Sequence, residues 1–382
     1  EPFFSSPVRA RASQTNSAMT FSNGTAVCYE RSKVPQSWSF SRAEWGARAS
    51  LSFSVTVSID PDLRASVQAI LSELRASIVQ DGVAPHAALG LSVLSPTPGG
   101  RGWATVVGGD VGTIFDLASV TKPMTAVAWA RSGLDRRRLL SEFLTEVKGT
   151  TAGNASVETL LSHRAGLLPH VKLWGDLEGP NSFRTYGSAI ETLHEVARAV
   201  RPDVFGDGPH PPVYSDVGYL LVGEALARAL GVGSAGEAIS RLVIEPLGLD
   251  AIPSAFLGTP ASLSDSHAPI APTEHVPWRG GDIVGDVHDE NAWVWGGKHG
   301  CGHAGIFGTI AGVLAFGRAA AEAILRHSGP FGDRDLRWTI RERPGGTLRA
   351  GWDGKSESDP RPRWCRRHER ASILANAGSG LL

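Results

Sequence analysis

The first patterned part of the chain predicts one helix followed by two strands. After Asp60-Pro61, apolar residues recur at helical spacing as far as Ile78, which predicts an amphipathic helix that begins at this cap. The apolar runs 87–94 and 103–108 predict two buried strands, and the Pro- and Gly-rich stretch 96–102 between them predicts a turn. Together they predict a strand hairpin preceded by a helix.

Helical patterns dominate the longer part that follows. They run from Ser119 to about Arg326, interrupted by Gly- and Pro-rich loops, and no internal repeat is visible. The clearest helices are predicted over 181–200 and 216–230. A hairpin followed by a long helical region indicates an α+β fold, in which an antiparallel sheet is flanked by helices and a mostly helical subdomain covers one side.

Composition changes along the chain and suggests three parts. Residues 1–57 are rich in serine and lack sustained periodicity, so we expect a low-order leader there. Residues 58–353 form the expected domain, with its helical subdomain at about 124–300. Residues 354–382 form an atypical tail whose stretch 361–370 holds five Arg without alternation, which does not fit a buried strand.

Overall charge and cysteine content exclude several classes of protein. The 382 residues carry a formal net charge of −1, which gives no general electrostatic attraction to nucleic acid or acidic membranes. No run of eighteen apolar residues is present, so no transmembrane segment is predicted. Three cysteines are too few for a disulfide framework. No signal peptide is visible, which leaves exported, periplasmic and cytoplasmic locations open.

The sharpest chemical feature is a Ser-x-x-Lys tetrapeptide, Ser119 to Lys122, at the predicted start of an apolar helix. Only six of the 37 basic residues are Lys, and Lys can lose its proton where Arg cannot. Residues three apart share a helix face, and Pro123 fits only near a helix start. Ser119 would then lie at the positive end of the helix dipole with a proton acceptor beside it. The alternative is a plain helix start with a Lys that extends to solvent.

A second candidate element follows at Tyr214-Ser215-Asp216. Tyr214 lies in a predicted turn, and a helix begins at about Asp216, which we expect to be its N-cap. A tyrosine held near a lysine can exchange a proton with it as general base or acid. The alternative is a buried Tyr bound to a backbone carbonyl and an Asp that only caps a helix.

Together these residues resemble the serine β-lactamase and penicillin-binding protein superfamily. The likeness is closest to the class C β-lactamase-like branch, which includes the family VIII carboxylesterases and D-aminopeptidases. It extends from about Pro85 to Arg326. Besides Ser119, Lys122 and Tyr214, it is carried by the stretches 115–118 (FDLA), 158–167 (ETLLSHRAGL), 245–249 (EPLGL), 287–292 (VHDENA) and 302–309 (GHAGIFGT).

The resemblance implies a β-lactamase/transpeptidase-like fold and a set of catalytic roles. Ser119 would be the acylated nucleophile, with its own backbone N–H as one half of the oxyanion hole. Lys122 and Tyr214 would share the proton transfers. The substrate would be a small-molecule ester, a β-lactam or a D-amino-acid peptide, hydrolysed through an acyl-enzyme without metal or organic cofactor.

Asp216 departs from the pattern, because many relatives have Asn at this position. An Asn amide can donate to a substrate carbonyl, whereas an ionised Asp only accepts. The extra negative charge would also keep Lys122 protonated and shift the role of base to Tyr214. We therefore expect esters to be better substrates than β-lactams.

The third motif of the superfamily, a Lys-Thr-Gly-like triplet on a strand, is not recognisable. His303-Ala304-Gly305 has suitable letters, but its surroundings predict a loop followed by a helix. We therefore interpret His303 as a cleft or structural residue. Two alternatives stay open. One is a catalytically impaired penicillin-binding-like protein, because neither the third motif nor the C-terminal strands that relatives carry are recognisable. The other is a metal site at His299, Cys301 and His303, whose spacing is not typical of zinc.

Overall fold

The computed structural model describes residues 17–22, 25–30, 61–97, 100–174, 193–206 and 208–354. Contacts divide the chain into two units, Glu1–Ser52 and Phe53–Leu382. The described part of the first unit is an antiparallel hairpin of β1 (Ser17–Ser22) and β2 (Thr25–Glu30). This pairing lies within 1–57, where we expected little order. The sequence signal for it is Asn23-Gly24, a dipeptide typical of two-residue hairpin turns.

The second unit mixes short strands with helices. Its strands are β3 (Ala88–Thr97), β4 (Gly100–Gly109), β5 (Phe115–Asp116), β6 (Leu257–Gly258), β7 (Pro272–Val276), β8 (Gly281–Val284) and β9 (Phe307–Gly308). Its α-helices are α1 (Pro61–Gln80), α2 (Thr121–Ser132), α3 (Thr151–Asn154), α4 (Val157–Leu161), α5 (Leu193–Ala197), α6 (Asp216–Leu230), α7 (Ala235–Ile239), α8 (Glu290–Gly296), α9 (Ile310–Arg326) and α10 (Arg337–Ile340). This is an α+β architecture with antiparallel strand pairs.

The expected hairpin is formed by β3 and β4, which pair antiparallel from Ala88 with Gly109 to Thr97 with Gly100. Helix α1 packs against β4 and helix α9 against β3. At Gly90 the approach of α9 is so close that an added Cβ would lie 2.6 Å from Leu314 Cδ1. The hairpin therefore carries helices, but β3 is not the buried strand that its apolar run predicts, because Leu91 and Val93 are exposed.

The α1 side of this hairpin retains exposed apolar surface. Among the described residues β3 pairs only with β4, and Leu71 is the only buried side chain of α1. The exposed large apolar side chains here are Leu63, Ile70 and Leu74 of α1 and Leu91 and Val93 of β3. Such a face is the kind of surface that promotes association. No helix in the described ranges has the length and hydrophobicity to cross a membrane.

The core lies between two helices that are buried along most of their length. Residues 121–129 of α2 are all buried, as are residues 217–227 of α6. Helices that are apolar on every side pack inside a protein rather than at its surface. Trp129 and Tyr219 are among the largest fully buried side chains. Because α2 begins two residues after Ser119, the nucleophile candidate is attached to this buried core.

Two expectations fall partly or wholly outside the described ranges. Of the helix predicted over 181–200, residues 181–192 lie outside them, and the remainder contains only the short helix α5. Of the tail, residues 355–382 lie outside them as well. Within 341–354 the structure shows a single antiparallel bridge, between Leu348 and Asp353.

Candidate active site

The turn before Ser119 is held in place by a buried carboxylate. Strand β5 pairs with β9, and the buried Asp116 at its end accepts hydrogen bonds from the backbone N–H groups of Ala118 (2.8 Å) and His288 (2.9 Å). Burial raises the pKa of Asp116, and this effect outweighs the two hydrogen bonds, which act to lower it. Ala118 has a φ of +43°, a strained value for a residue with a Cβ. The Asp116 hydrogen bond thus helps to hold the turn that presents Ser119.

Ser119 lies in a single 3-10 turn, Ala118–Val120, which leads directly into α2. Its side chain is only partly buried, and its Oγ accepts a hydrogen bond of 2.8 Å from Lys122 Nζ. The structure therefore brings the two residues of the Ser-x-x-Lys tetrapeptide together at the N-terminal end of a buried helix. Pro123 is the third residue of that helix, where its missing N–H breaks no helical hydrogen bond.

Three oxygen atoms that can accept hydrogen bonds lie around the Lys122 ammonium group. Besides Ser119 Oγ, Nζ lies 2.6 Å from Asp216 Oδ1 and 3.4 Å from the backbone oxygen of His303. The Lys122 side chain is only 3% exposed. Burial acts to lower the pKa of Lys122, but Asp216 and Tyr214 beside it raise that pKa above its usual value. In this geometry Lys122 is a cationic donor toward Ser119 rather than a free base.

Tyr214 lies against the same ammonium group. Lys122 Nζ is 4.6 Å from the centre of the Tyr214 ring, and that ring stacks on His163 with centroids 4.7 Å apart. His163 Nδ1 accepts a hydrogen bond of 3.0 Å from the Ser215 backbone N–H. Burial and the nearby Lys122 lower the pKa of His163 to about 3, so that its imidazole is neutral. The stretch 158–167 thus supplies an uncharged ring, that of His163, on which Tyr214 stacks.

Asp216 is the first residue of α6, and the expectation that it caps this helix is wrong. The N-cap is Ser215, whose Oγ accepts from the Gly218 backbone N–H at 3.3 Å. Ser215 fits this role because its hydroxyl can reach back to a free N–H of the first turn. Asp216 instead points its carboxylate at Lys122 and, through Oδ2, at His170 Nδ1 3.5 Å away. Burial acts to raise the pKa of Asp216, but Lys122 and His170 hold it well below its usual range.

His303 lies beneath the nucleophile turn rather than on a strand beside it. Its side chain is fully buried, and Nε2 lies 2.8 Å from Asp289 Oδ1. Burial acts to lower the pKa of His303, but the Asp289 carboxylate raises it well above its usual value. Gly305 closes the same loop with a φ of +104°, where an added Cβ would lie 2.7 Å from Gly300 Cα. The loop then continues through the two-residue strand β9 into α9, as its sequence predicts.

The side chains of the expected metal alternative are not gathered around one point. His299 is exposed, whereas Cys301 and His303 are buried. Among the residues that the structure describes, no group of three or more His, Cys, Asp or Glu side chains is placed to hold a metal ion. His303 is engaged with Asp289, which itself caps α8 by accepting from the Ala292 N–H. The arrangement therefore gives no support to the metal alternative.

Several residues of the site were not identified from the sequence. Asp116, His163 and Asp289 all lie in stretches that the resemblance includes, but their roles depend on contacts with distant loops. His170 follows Pro169 in a loop without periodicity, so the sequence gives no signal for it. A polar residue directly beside a recognised motif is the only hint that could have drawn attention to Asp116 and His163.

Comparison with known proteins identifies the family and agrees with the fold. A family model described as beta-lactamase matches residues 76–359, which is well over half of the chain. A β-lactamase from Sulfitobacter sp. EE-36 matches with a TM-score of 0.51 at 18% identity, covering 78% of this chain and 75% of that one. An octameric penicillin-binding protein homologue from Pyrococcus abyssi matches with a TM-score of 0.50 at 14% identity, covering 77% of this chain and 64% of that one. At such identity these likenesses show the fold alone. No curated protein matches the sequence significantly.

Proposed function

Because the chain belongs to the β-lactamase family, we propose that it is a serine hydrolase that cleaves carboxylic esters through an acyl-enzyme on Ser119. The observation that carries this proposal is the 2.8 Å hydrogen bond from the buried Lys122 Nζ to Ser119 Oγ at the start of α2. A serine hydroxyl in this position combines a helix N-terminus with an adjacent cation, and both stabilise negative charge that develops on oxygen.

The proposed reaction uses Tyr214 as the proton carrier. In the reacting form Tyr214 is a phenolate beside the Lys122 ammonium group, whose Nζ lies 4.6 Å from the centre of its ring. Ser119 Oγ forms a bond to the ester carbonyl carbon, and its proton passes to the Tyr214 phenolate, which returns it to the departing alcohol as the ester C–O bond breaks. Water then attacks the acyl-enzyme, again through Tyr214, and releases the carboxylic acid and free Ser119. Lys122 keeps its charge throughout, because Asp216 Oδ1 lies 2.6 Å from Nζ.

Asp216 also bears on the choice of substrate. Where a donor amide would bind a substrate carbonyl, this chain presents a carboxylate that is 20% exposed and already paired with Lys122 and His170. A carboxylate cannot donate a hydrogen bond to a carbonyl. This supports short-chain esters as better substrates than β-lactams or D-amino-acid peptides.

Turnover of a chromogenic ester tests the proposal. We expect the wild-type protein to hydrolyse p-nitrophenyl butyrate, and Ser119→Ala to lose roughly a thousandfold or more of that activity. Ser328→Ala, at an exposed serine after α9, is the matched control and should behave like wild type. Equal rates for wild type and Ser119→Ala would show that Ser119 is not the nucleophile.

A penicillin-binding-like protein with impaired turnover is the second candidate. It is favoured by the position of His303-Ala304-Gly305 on a buried loop, because this segment then offers no strand to supply the second oxyanion donor. Loss of one such donor typically costs about a hundred- to a thousandfold in turnover. One equivalent of p-nitrophenol released in a burst, followed by negligible turnover, would favour this candidate over the esterase.

A further inference from the structure

We infer that His170 is a positioning residue for proton transfer at Ser119 and that it acts through Asp216. The inference rests on the proposed function and adds a residue that the resemblance does not include. Its basis is a continuous chain of side chains from a partly exposed imidazole to the nucleophile.

The Asp216 carboxylate lies between the two basic side chains of this series, His170 and Lys122. His170 Nδ1 lies 3.5 Å from Asp216 Oδ2, and Lys122 Nζ lies 2.6 Å from Asp216 Oδ1. The same Nζ donates to Ser119 Oγ at 2.8 Å. The charge on His170 therefore acts electrostatically on Lys122 through the Asp216 carboxylate that both contact.

The His170 ring is held in place by its neighbours but remains open to water. The Asn291 side-chain nitrogen lies 3.3 Å from both ring nitrogens and donates to the Val171 backbone oxygen at 2.6 Å. The Trp174 ring also packs against the His170 ring, with centroids 5.3 Å apart. The His170 side chain is 40% exposed, so it can exchange its proton with solvent while its position is fixed.

The charged groups around His170 favour its protonation on balance. Asp216 at the start of α6 and Asp289 at the cap of α8 both raise the pKa of His170, burial and His303 act to lower it, and the net pKa lies above its usual value. Lys122 neutralises Asp216, and His303 neutralises Asp289. His170 is thus the partly exposed member of a cluster that otherwise forms two buried ion pairs.

The state of His170 determines how tightly the catalytic proton is held. When His170 is protonated, it shares the charge of Asp216, and less of that charge stabilises the proton on the pair formed by Lys122 and Tyr214. When His170 loses its proton at higher pH, the whole charge of Asp216 acts on Lys122. The direction is the same whether Lys122 or Tyr214 accepts the Ser119 proton, since added positive charge eases deprotonation of either.

The pH dependence of ester hydrolysis by His170→Gln tests this role. We expect kcat/KM for p-nitrophenyl butyrate to be roughly three- to tenfold below wild type at pH 6, and the two proteins to converge at higher pH, once wild-type His170 has lost its proton. His275→Gln is the matched control, because His275 forms an exposed ion pair with Asp282 on the β7–β8 hairpin. It should follow wild type at every pH. A loss by the same factor at all pH values would show that His170 is merely structural and would overturn the inference.

A titration of the histidine side chains by NMR makes the test independent of activity. The His170 resonance is identified by its loss in His170→Gln, and we expect its midpoint to fall in Asp216→Asn because the carboxylate partner is gone. An unchanged midpoint would refute the link between His170 and Asp216. If the midpoint falls but Ser119 proves inert toward every ester, the link holds and the proposed function fails.

Discussion

Replacing Asp216 with Asn is the change that most directly separates the two roles of this position. The substitution removes one negative charge and keeps nearly the same shape, and its amide can donate a hydrogen bond where the carboxylate can only accept. Lys122 loses the partner that lies 2.6 Å from its ammonium group. The substitution should therefore change both the pKa of Lys122 and the preference among substrates.

The structure sets the size of the effect on Lys122. The two side chains are 3% and 20% exposed, so the pair is screened little by solvent. Removing one partner of such a pair costs about 3 kcal/mol or more, which is roughly a hundredfold in the equilibrium between charged and neutral Lys122. Burial already opposes the charge on Lys122. In Asp216→Asn the pKa of Lys122 should therefore fall, which makes its neutral, proton-accepting form more accessible.

The assay compares acylation by a β-lactam with hydrolysis of an ester. A new donor to the substrate carbonyl is worth about 1.4 kcal/mol, so the ratio of nitrocefin acylation to p-nitrophenyl butyrate hydrolysis should rise roughly tenfold. Asp282→Asn is the matched control, since Asp282 is exposed and pairs only with His275 among the contacts described here. An unchanged ratio in Asp216→Asn would refute the reasoning, because it would mean that the charge at this position does not reach the reacting atoms.

Two further predictions concern stability. His163 is buried with a pKa of about 3, so unfolding should take up a proton as pH falls from about 6.5 toward 3, and the free energy of unfolding should decrease by about 4 to 5 kcal/mol over that range. His163→Asn keeps an acceptor for the Ser215 N–H and tolerates the φ of +61°. This variant should therefore lose less stability than wild type between pH 7 and pH 4 in urea titrations. The buried Arg164 guanidinium donates to four backbone oxygens within 158–167 and 341–350, so Arg164→Met should cost about 3 to 5 kcal/mol in urea unfolding, whereas the exposed Arg137→Met should stay within about 0.5 kcal/mol. A loss for Arg164→Met as small as that of the control would show that these hydrogen bonds contribute little.

The α+β fold could be predicted because its signals are local. The two apolar runs of the hairpin and the helical pattern of residues 216–230 each lie within a single element, and the structure confirms these elements as β3, β4 and α6. Ser119 and Lys122 could be paired in advance because residues three apart lie on the same side of a helix turn. Such short-range relations can be read without knowledge of the tertiary fold.

The remaining part of the site depends on contacts between distant segments. His170 and Asp216 are separated by 46 positions, and no periodicity connects them. The predicted N-cap of α6 is wrong by one residue because Ser215 and Asp216 are both good capping residues, and the local sequence does not show that Asp216 pairs with Lys122 instead. The ion pair of His303 with Asp289 is likewise a product of how two loops pack under α2.

The covalent state of Ser119 is the most direct test of the central claim. The protein is incubated with p-nitrophenyl butyrate and quenched in acid, the intact mass is measured, and the labelled peptide is sequenced by mass spectrometry, with Ser119→Ala treated in parallel. We expect one butyryl group per chain, located on Ser119, and none on the variant. A butyryl group on any other residue of the wild-type protein, or equal labelling of Ser119→Ala, would contradict the assignment of Ser119 as the nucleophile.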